Sequence, residues 1–126
     1  MEQVSDIVWF PEPQKHDYPA AKDYLFLLFS DSVAKKLVKK LLKGDMLWFK
    51  AKDIFRAAEI LHPLGDENKH VKRNLLKIKN KQSMSPILLV RDSEGRKLII
   101  ADGFHRLCAV YLHSEDEIVP VKIISL

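Results

Sequence analysis

Residues 98–109 read LIIADGFHRLCA, and this stretch decides the fold. Its apolar start, Leu98–Ile100, predicts a buried β-strand. Gly103 then allows a tight backbone turn, and its lack of a Cβ atom lets a ligand come close to the main chain. The pattern that follows predicts a helix from Phe104 to about Leu112. We therefore expect a strand, a glycine turn and a helix.

Two further strands flank this segment. Residues 87–90 read ILLV, a continuous apolar run that is typical of a buried strand, and Asp92–Arg96 is predicted to be the turn of a hairpin that returns at Leu98. After an acidic loop at 115–117, residues 118–124 form the last predicted strand. The second half of the chain thus predicts a hairpin, a helix and a final strand, in that order.

The first half of the chain is mainly helical by the same criterion. The apolar run Ile7–Phe10 predicts an edge strand or an arm, and a first helix follows from Tyr18. A second helix is predicted between an N-cap at Asp31–Ser32 and Gly44, with an apolar face opposite a lysine face. The lysine face consists of Lys35, Lys36, Lys39, Lys40 and Lys43.

A short strand and two more helices are predicted before the hairpin. Met46–Ala51 is expected to be a strand or an extended link, and Asp53–Leu61 a helix that is stopped by Pro63. Asp66 and Glu67 are expected at the positive end of a fourth helix. The apolar positions of that helix are Val71, Leu75 and Ile78.

The composition indicates one folded domain. Of the 126 residues, 47% are hydrophobic and 30% are charged, and the net charge of +4 permits a polyanionic partner without indicating one. Cys108 is the single cysteine, which excludes an internal disulfide and a cysteine-based zinc site, so no zinc is expected. The N-terminus lacks a signal-peptide pattern, and no apolar run approaches the roughly 20 residues that span a bilayer. These features predict a cytoplasmic protein.

The glycine turn carries the candidate chemistry. The first N–H groups of a helix point outward at the positive end of the helix dipole, which attracts anions. His105 and Arg106 lie in the first turn, where a cation is unfavourable unless an anion joins it, and the guanidinium fork of arginine suits phosphate. An alternative stays open, in which Asp102 is an ordinary N-cap, His105 is a surface residue and Arg106 forms a local ion pair.

Three spaced elements resemble the core of the ParB/sulfiredoxin superfamily. They are PILLV at 86–90, the segment 98–109 with its DGFHR turn, and IVPV at 118–121. The resemblance covers about residues 46–126 and implies an α+β (mixed α/β) fold, in which helices pack on a small mixed sheet. Residues 1–45 match nothing in that core and are expected to be an N-terminal helical extension packed on it.

The resemblance also implies nucleotide or phosphate chemistry, because members of the family bind CTP, use ATP to repair sulfinic peroxiredoxin, or act as serine kinases. Gly103, Phe104, His105 and Arg106 lie in the turn that would hold the phosphate. The expected ligand is therefore ATP or CTP, with Mg²⁺, or a phosphorylated small molecule. Phe104 stands where sulfiredoxin has its catalytic cysteine and ParB a glutamate, which argues against both activities. Cys108 is expected to be a core residue.

A second set of candidates lies on the third predicted helix. Asp53, Arg56 and Glu59 share a helix face by their spacing. By resemblance to the kinases, Asp53 or Glu59 would supply a base or a metal-holding carboxylate, and Arg56 would contact the nucleotide; the alternative is a solvated ion-pair face. Asp102 and His105 complete the catalytic candidates of a nucleotide-dependent phosphotransferase or phosphohydrolase.

Two other functions stay open. The lysine face could bind the backbone of DNA or RNA, but no aromatic residue is interleaved with the lysines for base stacking, so this alternative is not favoured. The other is a protein-interaction module in which the turn has lost its ligand. A homodimer is also left open, whereas no membrane partner is expected.

Overall fold

The fold is seen in a computed structural model that describes residues 6–92, 94 and 97–126. Five helices and four strands lie in this part of the chain, which confirms the mixed α+β class. In chain order they are α1 (Asp17–Leu28), α2 (Asp31–Lys43), β1 (Met46–Lys50), α3 (Ala51–Ala57), α4 (Lys69–Lys79), β2 (Ile87–Arg91), β3 (Leu98–Asp102), α5 (Phe104–His113) and β4 (Ile118–Ser125).

The strands form one mixed sheet in the order β1-β4-β2-β3. The β1–β4 and β2–β3 pairs are antiparallel, whereas β2 and β4 are parallel. The β2–β3 register shifts near Leu88 and Leu89, so that Leu88 lies opposite Asp102 and Leu89 opposite Ile100. Strands β1 and β3 are the two edges of the sheet.

Helices cover both faces of the sheet. The side chains of a strand alternate between the two faces, so each face carries apolar residues that a layer of helices buries. Leu88 and Val90 of β2 pack against α1 and α2, whose buried residues include Leu25 and Leu37. Leu89 belongs to the other cluster, on the side of α3, α4 and α5. Residues 17–43, in the segment expected to be an extension, therefore cover one face of the sheet.

Several element boundaries differ from the prediction. The N-cap predicted for α2 is wrong: Oγ of Ser30 accepts the hydrogen bond from the Val33 backbone N–H at 3.3 Å. The third helix ends at Ala57 rather than at position 61, and Glu59 follows it with a φ of 58°, which a helix does not contain.

The remaining boundaries agree more closely. Helix α4 begins after Asn68, whose side chain accepts hydrogen bonds from two backbone N–H groups. Asp66 and Glu67, which were predicted at the positive end of this helix, therefore precede it, and its first turn contains no acidic residue. Strand β3 extends to Asp102, two residues beyond its predicted end, because it continues to pair with β2. Positions 93, 95 and 96 of the predicted hairpin turn lie outside the described residues. Trp9, in the first apolar run, makes an isolated bridge to Met84.

Candidate functional site

Gly103 links β3 to α5 in a conformation that side chains disfavour. Its φ is 102°, in the left-handed region. A Cβ atom at this position would lie 2.6 Å from Cδ1 of Ile87 and 2.9 Å from Nη2 of Arg106. Both the backbone angle and the space therefore require glycine, as the turn prediction assumed.

Arg106 is held by the protein itself. Its Nε donates to the carbonyl oxygen of Ser85 at 3.0 Å, and Nη2 donates to the Pro86 carbonyl at 3.2 Å and to Oδ2 of Asp102 at 3.0 Å. The Arg106 and Asp102 side chains are only 17% and 16% exposed. The open alternative of a local ion pair is thus the arrangement that the structure shows, and Arg106 fastens α5 to the start of β2.

A cavity of about 260 Å³ lies at the N-terminus of α5. We call it the basic basin, after the cationic and imidazole side chains that line it. They are His16, His70, Arg73, Lys77, His105 and Arg106. Among the described residues that line the basin, Asp102 is the one carboxylate, and it is paired with Arg106. The basin therefore carries an excess of positive charge.

Two histidines meet inside the basin. The rings of His70 and His105 have centroids 4.9 Å apart, with 45° between their planes. Burial lowers the pKa of His105, and the nearby charge of His70 lowers it further. The neutral imidazole of His105 is therefore favoured over a wider pH range than that of an unperturbed histidine side chain.

Asp102 lies close to a second buried acid, Asp17. Burial raises the pKa of Asp102, against the opposing effect of Arg106, and the nearby charge of Asp17 raises it further. The Asp17 residue is 1% exposed; its Oδ2 accepts from the Gln14 backbone N–H at 2.8 Å, and Nε2 of His16 lies 3.4 Å from its Oδ1. The segment that begins α1 thus forms part of the wall around the turn.

The carboxylates predicted on the third helix do not line the basin. Asp53 lines a separate cavity of about 450 Å³, and its Oδ1 lies 3.2 Å from Nη1 of Arg56. That ion pair is exposed, and Glu59 is an exposed residue beyond the end of α3. The alternative of a solvated ion-pair face describes this geometry. Cys108 is fully buried, and burial raises the pKa of its thiol.

The α2 lysines lie on the other side of the sheet from the basin. Lys35 makes an ion pair with Asp31 at 3.0 Å, and Nζ of Lys40 donates to the Ser125 carbonyl oxygen. In the described part of the chain, no group of three or more His, Cys, Asp or Glu residues is placed to hold a metal ion. None of the described helices combines the length and apolarity that crossing a membrane requires.

Sequence reasoning missed the contributions of α4 and of the segment before α1. His16, Asp17, His70, Arg73 and Lys77 were not among the candidates. A signal for the α4 residues was present, because no acidic residue occurs between Asn68 and Arg91, and positions 70, 73 and 77 share a helix face. No comparable signal points to the pair at 16 and 17.

Comparison with known proteins assigns no family or function to this site. The chain was compared with protein-family models, with curated proteins and with solved structures, and none of them matches it. The resemblance of its DGFHR segment to the ParB/sulfiredoxin superfamily therefore stays a prediction.

Proposed function

We propose that this protein recognises phosphate and binds a nucleotide or another phosphorylated small molecule in the basic basin. The observation that carries the proposal is the convergence of cationic and imidazole side chains from three segments of the chain. His16, Arg73 and His105 represent those segments. They lie around the N-terminus of a ten-residue helix that no side chain caps among the described residues.

The backbone supports the same assignment. The N–H group of Leu107 donates to the Gly103 carbonyl oxygen, so the N–H groups of the three preceding helix residues lie before the first intrahelical bond. The helix dipole and these donors favour an anion at this point. Arg73, which is exposed, and Lys77, which is half-buried, are the side chains that we assign to direct contact with phosphate.

The basin does not fit a protein-bound Mg²⁺ ion. Mg²⁺ prefers carboxylate oxygens and water, whereas the one carboxylate among the described lining residues is hydrogen-bonded to Arg106. Phosphate recognition in the basin therefore rests on N–H donors and cationic side chains. If phosphoryl transfer or hydrolysis occurs, His105 is the candidate base, because its pKa is lowered and it lies within the basin.

The proposal is tested by thermal unfolding with inorganic phosphate and with ATP, CTP, GTP and their diphosphates. A ligand at about 100 times its dissociation constant should add about 2.7 kcal/mol to the free energy of unfolding, a shift of several degrees in Tm. We expect the double variant Arg73→Ala, Lys77→Ala to lose most of that shift. The matched control is Lys36→Ala, Lys39→Ala, which removes the same charge from the α2 surface. No shift for any phosphate compound, or an equal loss in both variants, would contradict the proposal.

Anion binding should strengthen as the pH falls. A bound anion raises the pKa of His105, so His105 takes up a proton when the anion binds. The affinity therefore rises as the pH falls, until the pH is below the pKa that His105 has in the free protein. Sulfate is the suitable probe because, unlike phosphate, it stays fully ionised over this range. Between about pH 8 and pH 5.5 we expect a gain of about fivefold as His105 takes up its proton. Isothermal titration calorimetry measures it, and His105→Gln should flatten the profile; a pH-independent affinity would contradict the assignment.

A further inference from the structure

The outer edge of β3 is open. Among the described residues, strand β3 lies at the end of the sheet and pairs only with β2. In the described part of the chain, no backbone hydrogen bond from another element reaches its residues. An antiparallel strand directs alternate N–H and C=O groups to each side, so the outer edge of β3 presents a row of unused donors and acceptors.

A groove of about 770 Å³ runs along this edge, and all five residues of β3 line it. We call it the β3 groove. One wall comes from α1 and includes Ala20, Tyr24 and Leu28, and the other includes Ile60 and Phe104. Both walls are largely apolar, and Tyr24 and Leu28 are 44% and 50% exposed. The groove thus lies between the two helical layers, with the open edge of the sheet as its floor.

The β3 groove is continuous with the basic basin. Four consecutive residues, 102–105, line both cavities. A ligand that lies along β3 therefore reaches the positive charge of the basin at the Asp102 end of the strand. The two cavities together offer a strip of backbone groups, apolar walls and a site for an anion.

We propose that the β3 groove binds an extended peptide that carries a phosphorylated side chain, by adding it as a strand to β3. The inference rests on the proposed function, since the phosphate of the peptide would lie in the basic basin. Strand addition uses main-chain hydrogen bonds for affinity and side-chain pockets for specificity. At about 3.3 Å per residue, the five residues of β3 span roughly 16 Å and pair with about five peptide residues.

The chemistry of the groove favours a peptide over an apolar small molecule. A hydrocarbon that covered the β3 edge would remove water from backbone groups without replacing their hydrogen bonds, which is costly. A peptide strand satisfies those groups. Its alternate side chains would continue the two surfaces of the sheet, next to Ile99 on one side and Ile100 on the other, which pack in different clusters.

Fluorescence anisotropy with labelled peptides of about seven residues tests the inference. The peptides alternate valine and threonine, which favour an extended backbone, and carry one phosphothreonine near either end. We expect the tighter of the two to bind at least about tenfold more strongly than its unphosphorylated form, because a charge-assisted contact is lost without phosphate. N-methylation of the amides that face β3 should also weaken binding at least about tenfold, whereas methylation of the alternate amides should not.

Two variants test whether the peptide binds in the β3 groove. Ala20→Trp fills the groove and should abolish peptide binding while inorganic phosphate still binds. Leu27→Trp adds the same side chain to the same helix outside the groove, where Leu27 is 80% exposed, and should bind the peptide normally.

The outcomes separate the two proposals. If phosphate or a nucleotide binds but the phosphopeptide binds no better than free phosphate, or if both methylation patterns have the same effect, strand addition is wrong and phosphate recognition stands. If neither phosphate compounds nor phosphopeptides bind, both proposals fail.

Discussion

Replacing Gly103 by alanine is expected to lower the free energy of unfolding by about 3 kcal/mol. The φ of 102° is strained for any residue with a Cβ atom. The new methyl group would also lie 2.6 Å from Cδ1 of Ile87, so the fully buried Ile87 must move. Urea denaturation followed by circular dichroism measures the change. Because the turn shapes the basic basin, the variant should also lose phosphate binding under conditions where it is folded.

Gly44→Ala is the matched control. Gly44 follows α2 with a φ of −71°, which any residue adopts, and the nearest side-chain atom to an added Cβ is Cγ2 of Ile124 at 3.3 Å. We expect a change within about 1 kcal/mol. Equal losses in the two variants would show that the backbone of the turn has no special requirement for glycine at position 103.

Arg106→Ala is expected to cost a similar amount, about 3 kcal/mol. The substitution removes the Arg106 hydrogen bonds to the carbonyl oxygens of Ser85 and Pro86, and it removes the cation beside the partly buried Asp102. The pKa of Asp102, which burial already raises, should rise further. The ionised carboxylate is then the unfavourable form, so the loss of stability should be greatest above that pKa and shrink as the pH falls and Asp102 takes up a proton.

Arg56→Ala is the control for this prediction. Arg56 likewise pairs with an aspartate that precedes it, Asp53, but its side chain is 80% exposed. An exposed pair contributes roughly 0 to 1 kcal/mol, so this variant should unfold at nearly the wild-type urea concentration. If Arg106→Ala were equally mild, the three hydrogen bonds of Arg106 would not be what fastens α5 to β2.

The role of Arg106 also affects how ligand binding is tested. A loss of phosphate binding in Arg106→Ala would follow from a disturbed turn as readily as from a lost ligand contact. Arg73 and Lys77 are better positions, because they line the same basin from α4 and lie outside the turn. Their removal therefore reports on charge in the basin with the turn intact.

The amino-acid sequence was sufficient for the local elements. Leu98–Ile100 predicted β3, Gly103 predicted the turn, and the following apolar pattern predicted α5. These predictions succeed because strand alternation, helix periodicity and the conformational freedom of glycine are properties of neighbouring residues. The predicted boundaries were wrong where a single local contact decides the end of an element, as at the Ser30 cap of α2.

Only the tertiary structure decided which side chains surround the turn. Local spacing placed His105 in the candidate site, but the packing of α4 against α5 brought His70 to it, and the docking of α1 brought Asp17. Conversely, Arg106 lies in the turn that the sequence singled out, yet its guanidinium points to two carbonyl oxygens from a segment 20 and 21 residues away. The physical reason is that backbone geometry determines which residues share a face of one helix or strand. Which elements meet depends on the burial of their apolar surfaces, and residue spacing within one element does not contain that information.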